Sequence, residues 1–256
     1  MEQRLYEAVF GGDLEEVKEI LRNPGLDVNW ECNADWDYTA LQRACSNGFD
    51  SIISILLAHP DIDVNQENIY VGWSPFMIAC DSESPSCARL LLKDSRVKVN
   101  EPVNGGYTPL CSLARQGHLD IIKWWIAFGR EMDLGTPGDS STDAIGEAEE
   151  RRKTEVVTLL ERFKENPVET RHVVRVELGL VDELAADVFA MAVFVSDGLL
   201  KTNDTTPSPA ARFFSIAAQL PLELQMVLCY RLRGSGKEII PGKESEVAFK
   251  ELARRI

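Results

Sequence analysis

Apolar residues return along the first two thirds of the chain at intervals close to 35 positions, at Leu5, Leu41, Phe76, Leu110 and Ile145. Three residues after each lies Ala8, Ala44, Ala79, Leu113 or Ala148, small in four cases of five. An offset of three places both on one helical face, so each pair marks a short helix packed closely on its neighbour. A second stripe follows within each interval, as Val17, Ile20 and Leu21, then Ile53, Leu56 and Leu57, then Ala88, Leu91 and Leu92, then Ile122, Trp125 and Ile126, and finally Val157, Leu159 and Leu160. Between the two stripes sit Gly12, Gly48 and Gly117, where a left-handed residue must separate two helices and glycine adopts that conformation without steric cost. Each unit therefore predicts helix, tight turn, helix.

The boundary residues agree with the period. Thr39, Ser74 and Thr108 stand where the first helix of a unit begins, as side-chain N-caps, and Pro75 and Pro109 follow at the first helical position. Asp27-Val28-Asn29, Asp63-Val64-Asn65 and Lys98-Val99-Asn100 punctuate the ends of the second helices.

These residues together resemble the ankyrin-repeat family, whose pattern runs G-x-T-P-L-x-x-A, then G-H, then V-x-x-L-L and D-V-N. The fourth repeat carries it most fully, in Gly106, Thr108, Pro109, Leu110, Gly117, His118 and Ile122. The resemblance covers residues 1 to about 163 and implies an all-α fold: a solenoid of four clear repeats and one degenerate one. The first repeat has no hairpin and carries Glu15, Glu16 and Glu19 on its second helix, as a solvent-facing cap does. The third has Glu83 in place of the turn glycine, followed by Ser84-Pro85, which predicts a reshaped turn. The fifth has Arg152 at the glycine position and a Gly/Ser/Asp-rich approach from Gly135 to Asp143, which predicts a lost or mobile hairpin.

The resemblance also implies a concave face built from hairpin tips and first helices, and with it a protein partner. The family's variable positions fall on Asp35, Trp36 and Tyr38, on Tyr70, Val71 and Trp73, and on Asn104 and Tyr107. The ends of the first helices add Ser46, Asn47, Asp81, Ser82, Arg115 and Gln116. Tyr38, Trp73 and Tyr107 occupy one position in three successive repeats and are expected to line up as an aromatic row, the commonest kind of interface anchor. The acidic residues Asp35, Asp37 and Glu67 nearby favour a partner with a basic segment.

The pattern changes at Lys164-Glu165-Asn166-Pro167, giving two expected domains, residues 1–165 and 166–256. Helical stretches are predicted at about 180–200, 210–219, 221–232 and 244–255, with a polar linker over 202–209. The run VFAMAVFV from Val188 to Val195 is apolar on every side and predicts the central helix of a small bundle. The module is expected to shield the last repeat, covering Val157, Leu159 and Leu160. Leu220-Pro221-Leu222-Glu223-Leu224, with Leu228 and Leu232, is similar to the opening of an F-box. Poxviral ankyrin proteins are similar in carrying such a segment after their repeats, which implies the alternative role of a ubiquitin-ligase substrate adaptor.

Charge narrows the partner class. Twenty-seven basic residues against 41 acidic give a net charge of −14, which repels nucleic-acid phosphates and anionic membranes. The start MEQRLYEAVF has no basic segment followed by an apolar one, and the longest apolar run is far short of the roughly 20 residues of a spanning helix, so a cytoplasmic or nuclear protein is expected. The six cysteines are dispersed, none as C-x-x-C, and predict free thiols rather than disulfides or a metal site. Three histidines offer little for a catalytic triad. Arg231 to Lys237 lacks the first glycine of a phosphate-binding loop and has Glu238 where magnesium would need Ser or Thr. Glu147, Glu149 and Glu150 are assigned to an exposed helix. No cofactor or enzymatic activity is expected.

Overall fold

The structure is a computed structural model that describes residues 1–33, 36–82, 84–196, 213–214, 216–217, 219–220, 222–232, 240 and 242–253. The chain divides into two compact units, Met1–Thr170 and Arg171–Ile256. Asp35, Glu83, the 202–209 linker, most of the 210–219 stretch and residues 233–237 of the glycine-containing loop lie outside the described residues.

The first unit is five helix pairs. They are α1 (Glu2–Gly11) with α2 (Leu14–Ile20), α3 (Ala40–Asn47) with α4 (Asp50–Leu57), α5 (Pro75–Asp81) with α6 (Pro85–Lys93), α7 (Pro109–Gln116) with α8 (Leu119–Phe128), and α9 (Ala144–Glu150) with α10 (Thr154–Glu165). Thr39 caps α3 through a reciprocal capping box with Gln42, and Ser74 and Thr108 accept from the backbone N–H of Met77 and Cys111, with Pro75 and Pro109 opening their helices. Such caps each stabilise a helix start by about 1 kcal/mol. Gly12, Gly48 and Gly117 close the first helices at φ 73°, 73° and 89°. The third turn is reshaped: Ser82 ends α5 at φ −80° and Pro85 opens α6. In the fifth, Arg152 takes the glycine's place at φ 58°.

First helices pack in the order α1, α3, α5, α7, α9, and second helices in the order α2, α4, α6, α8, α10, giving two layers with the apolar stripes between them. Leu41, Phe76, Leu110 and Trp125 are fully buried there, and the Phe76 and Trp125 rings meet edge to face at 5.2 Å. On α10 the buried stripe is Val156, Leu159, Leu160 and Phe163, whereas Val157 is half-buried. The apolar pattern of the sequence places Val157 in this stripe with Leu159 and Leu160. Offsets of three, four and seven from Val156 explain the correction.

Each Asp/Lys-Val-Asn segment ties successive repeats together. Asn29 donates to the Asp61 carbonyl (2.7 Å) and accepts from Asp63 N–H (2.8 Å). Asn65 does the same with Arg96 (2.9 Å) and Lys98 (2.8 Å), and Asn100 with Glu131 (3.2 Å) and Asp133 (3.3 Å). A single side-chain amide thus satisfies one donor and one acceptor of the next repeat, while the valine beside it is buried.

Among the described residues the one paired hairpin is β1 (Glu31–Cys32) with β2 (Tyr38–Thr39), antiparallel, with Glu31 opposite Thr39 and Cys32 opposite Tyr38. The approach to the fifth repeat has no strand but is a hydrogen-bonded loop. Thr136 N–H donates to Thr142 Oγ1 (3.2 Å), Gly138 N–H to Asp143 Oδ2 (2.7 Å), and Asp143 Oδ1 accepts from Gly146 to cap α9.

Pro167 opens a new helix, α11 (Pro167–Glu177), with Asn166 accepting from Glu169 N–H; the units divide a few residues later, after Thr170, whose hydroxyl donates back to the Arg162 carbonyl. In the second unit α12 (Val181–Ser196) is the central helix, packed on α13 (Leu222–Leu232) and α14 (Gly242–Ala253). Its Ala185, Ala186, Val188, Phe189 and Ala190 form a core with Cys229, Tyr230, Ile240 and Ala248. Tyr230 donates its hydroxyl to Asp182 at 3.0 Å, which explains how a phenol is accommodated in that core. Among the described residues no helix is long and apolar enough to cross a membrane.

Candidate functional site

Among the described residues of the first unit, the tips of the second and third repeats carry a cluster of exposed apolar side chains. The loop after β1 brings Trp36 and Asp37 into left-handed backbone, at φ 57° and 52°. Asp37 stands where the next two repeats have Gly72 and Gly106, at φ 70° and 85°, directly before Tyr38, Trp73 and Tyr107. Two consecutive non-glycine residues there each cost about 1–2 kcal/mol. Asn68, almost fully buried, holds the arrangement: its amide donates to the Trp36 carbonyl, its Oδ1 accepts from Tyr70 N–H (3.0 Å) and Val71 N–H (3.1 Å), and its own N–H donates to the Trp73 carbonyl (3.0 Å).

The Trp36 and Tyr70 rings consequently lie edge to face, 6.2 Å apart at 86°. Trp36 is 68% exposed, Ile69 64% and Tyr70 58%, with Val71 also exposed. The Asp37 carboxylate raises the Tyr70 pKa, first by its charge and then by the hydrogen bond between them. Asp37 is therefore a buried support for Tyr70 rather than the solvent-facing acid expected; Glu67 is exposed. Ile69 and Asn68 are not among the expected positions, although the run Ile69-Tyr70-Val71 at a repeat tip is a visible signal in the sequence.

The expected aromatic row is more enclosed than the tips. Tyr38, Trp73 and Tyr107 are all half-buried. The Arg43 guanidinium lies 5.1 Å from the centre of the Tyr38 ring and 5.4 Å from that of Phe10, and donates to the Tyr6 hydroxyl at 2.9 Å. Arg115 lies over Tyr107 at 5.9 Å and donates to its hydroxyl at 3.2 Å. A ring just ahead of a helix cap can fold back on that helix's polar edge, and cation–π contact favours it.

The remaining expected positions are mostly tied between repeats. Gln116 Nε2 donates to Asp81 Oδ1 at 3.1 Å, joining the third and fourth repeats, while its Oε1 meets His118 Nε2 at 2.9 Å. Ser82 Oγ donates to the Ile78 carbonyl, and Asn47 Nδ2 to the Phe10 carbonyl at 3.5 Å. Ser46 is half-buried without a role in these bonds. Exposed Asn104 donates its N–H to the Val71 carbonyl at 3.1 Å, linking the tips of the third and fourth repeats.

Glu147 requires a correction. Expected on an exposed helix face with Glu149 and Glu150, it is 7% exposed, because α9 turns it toward α7. Its charge acts on Tyr107, Cys111 and Arg115, and the Cys111 thiol is pushed up to about 11, first by burial and then by Glu147. All six cysteines are free, and burial likewise raises Cys45, Cys80 and Cys87. Among the described residues no group of His, Cys, Asp and Glu could hold a metal ion. In the second unit, α13 buries Cys229 and Tyr230 and exposes Leu222 and Leu224 of the F-box-like segment.

Residues 5–102 match the family model of ankyrin repeats in three copies. The first unit is thus an ankyrin-repeat solenoid, a protein–protein interaction module of a kind that is generally non-enzymatic. The chain is similar to the tyrosine-protein kinase HTK16 of Hydra vulgaris, 30% identical over 146 residues, which is 54% of this chain and 19% of that protein. It is 29% identical over 159 residues to the SMC5-SMC6 complex localization factor protein 1 of Bos taurus, covering 60% of this chain and 15% of that protein. It is 27% identical over 151 residues to alpha-latrocrustotoxin-Lt1a of Latrodectus tredecimguttatus, covering 59% and 10%. The chain spans less than a fifth of the length of each of these relatives. A kinase, a localization factor and a toxin have unlike activities, so what they share with this chain is a module and not a chemistry.

Proposed function

We propose that the chain is a non-enzymatic scaffold or adaptor that holds another protein on the concave face of its repeats, anchored at the tips of the second and third. The observation that carries this is the exposed cluster of Trp36, Ile69, Tyr70 and Val71, positioned by buried Asn68 and by left-handed backbone at Trp36 and Asp37. Exposed aromatic residues held rigid in advance lose little entropy on binding, and strained backbone concentrates at working sites. The partner is a protein with a basic segment, met in the cytoplasm or nucleus, and the net charge of −14 steers it.

Affinity purification from the native cell with the full chain, compared with Trp36→Ala/Tyr70→Ala, tests the proposal. Partners bound by the wild type and lost by the variant are expected. Retention of every partner would overturn the tip assignment.

A second reading, a ligase substrate adaptor, is favoured by one observation: Leu222 and Leu224 stay exposed on α13. Recovery of a cullin-type ligase adaptor that is lost on Leu222→Ala/Leu224→Ala would support it, and absence of any such adaptor from the purified partners would dispose of it.

A further inference from the structure

Asparagine is followed by glycine twice in the chain, at Asn47-Gly48 and Asn104-Gly105, and both asparagines are among the expected positions of the concave face. Such a pair sets an electrophile beside a nucleophile. The peptide nitrogen of the glycine can close on the side-chain amide carbon, and no Cβ on the glycine obstructs the approach. What decides between the two pairs is how the fold holds these groups.

At Asn47-Gly48 both are held. Asn47 is the last residue of α3, its Nδ2 donates to the Phe10 carbonyl at 3.5 Å, and the Gly48 N–H donates to the Cys45 carbonyl at 3.3 Å. At Asn104-Gly105 neither is. Both residues are exposed at the tip of the fourth repeat. That tip is tied by Asn104 N–H to the Val71 carbonyl (3.1 Å), Val103 N–H to the Tyr107 carbonyl (2.9 Å) and Gly106 N–H to the Val103 carbonyl (2.9 Å). Among the described residues, neither the Asn104 side chain nor the Gly105 N–H makes a hydrogen bond. A Cβ built on Gly105 would meet no heavy atom within 4 Å, so the space beside the nucleophile is open.

We infer that Asn104-Gly105 is a self-modifying site whose only co-reactant is water. The Gly105 nitrogen bonds to Asn104 Cγ, the Cγ–Nδ2 bond breaks, and the proton of the attacking nitrogen leaves with Nδ2 as ammonia. Water then opens the cyclic imide at either carbonyl, to aspartate or to isoaspartate. One water is consumed and one ammonia released, with nothing oxidised or reduced. Either product puts a carboxylate on the residue whose N–H is bonded to Val71, and isoaspartate also lengthens the backbone there by a methylene. Under the concave-face reading, on which this consequence rests, a partner that covers Val71 must strip water from the new charge, and the modified chain holds it less well.

The test incubates the full chain in water enriched in heavy oxygen and locates the label by peptide mass spectrometry, beside Asn104→Gln, whose longer side chain closes a larger ring far more slowly. Asn104 is expected to take up label at least tenfold faster than Asn47, at a rate that rises with hydroxide because the nitrogen must shed its proton. In urea the two asparagines are expected to convert alike, which assigns the difference to the fold. Equal conversion of both in the folded chain, or none at Asn104, overturns the inference. Affinity purification from the native cell with fresh and aged chain follows the consequence. Partners lost by the aged wild type and kept by aged Asn104→Gln support it, and partners kept by the converted wild type overturn it while the chemistry stands. Partners held equally by fresh wild type and fresh Trp36→Ala/Tyr70→Ala sink the tip assignment alone.

Discussion

The Trp36 and Tyr70 rings meet edge to face at 6.2 Å although they belong to successive repeats. What joins them is the buried amide of Asn68, which donates to the Trp36 carbonyl and accepts from Tyr70 N–H. The rings themselves stay in water, so their removal and the stability of the solenoid are separable. Trp36→Ala is expected to change unfolding free energy by no more than about 0.5 kcal/mol, and Tyr70→Ala, which also takes a hydrogen bond from buried Asp37, by about 1 kcal/mol, both while weakening partner binding tenfold or more. Tyr38→Ala and Trp73→Ala remove half-buried rings and are expected to cost about 1 kcal/mol or more in stability. Urea unfolding beside binding titration distinguishes the two pairs.

The asparagine that ends each repeat makes a narrower prediction. Asn65→Ala removes one bond to the Arg96 carbonyl and one from Lys98 N–H, both within reach of water. A net loss of about 1 kcal/mol is expected, read as a lower urea midpoint at unchanged slope. A larger loss would mean that the interface between repeats depends on this contact more than on its apolar layer.

Two glycines of the loop before α9 should respond very differently to alanine. Gly135 has φ 81°, and a Cβ there would lie 1.8 Å from the Thr142 carbonyl oxygen, a backbone atom with no freedom to yield. Gly138 has φ 85° and open space around it. Gly138→Ala is expected to cost about 1–2 kcal/mol from backbone conformation alone, and Gly135→Ala clearly more, with loss of the bonds that cap α9. Thermal unfolding of the two variants against the wild type checks the difference.

Repeat boundaries were legible because they rest on residues with local physical meaning. Thr39, Ser74 and Thr108 cap helices through their own side chains, and Gly12, Gly48 and Gly117 relieve strain at one backbone position. The site was less legible because exposure depends on what the neighbouring repeat covers. Tyr38, Trp73 and Tyr107 share a sequence position that reads as open, yet they are half-buried, with Tyr38 under Arg43 and Tyr107 under Arg115. Asp37 reads as a surface acid and is buried by the tip that follows. Glu147 stands among acidic residues, and only the packing of α9 on α7 distinguishes it from Glu149 and Glu150. In the second unit, the all-round apolar run over Val188 to Val195 predicted a central helix because no face of it could be left in water, and α12 has that place.

Cys111 provides a pH reading of the packing of α9 on α7. Its folded pKa, about 11, lies above the ordinary thiol value of 9.0, first through burial and second through the Glu147 charge. The thiol is an acid whose neutral form the fold favours. Its contribution to stability is therefore complete below pH 9 and is lost as pH rises through 9 toward 11, where the unfolded chain ionises and the folded one resists. Cys111→Ala should flatten the decline of stability over that window relative to the wild type, the other buried thiols contributing equally to both. Glu147→Gln should move the Cys111 titration down, because the second cause is removed while the first remains. Urea midpoints from pH 8 to 11 for the three proteins decide this: parallel curves for the wild type and Cys111→Ala would show that the thiol is not held neutral by the fold, and an unmoved titration in Glu147→Gln would place the carboxylate too far away to act.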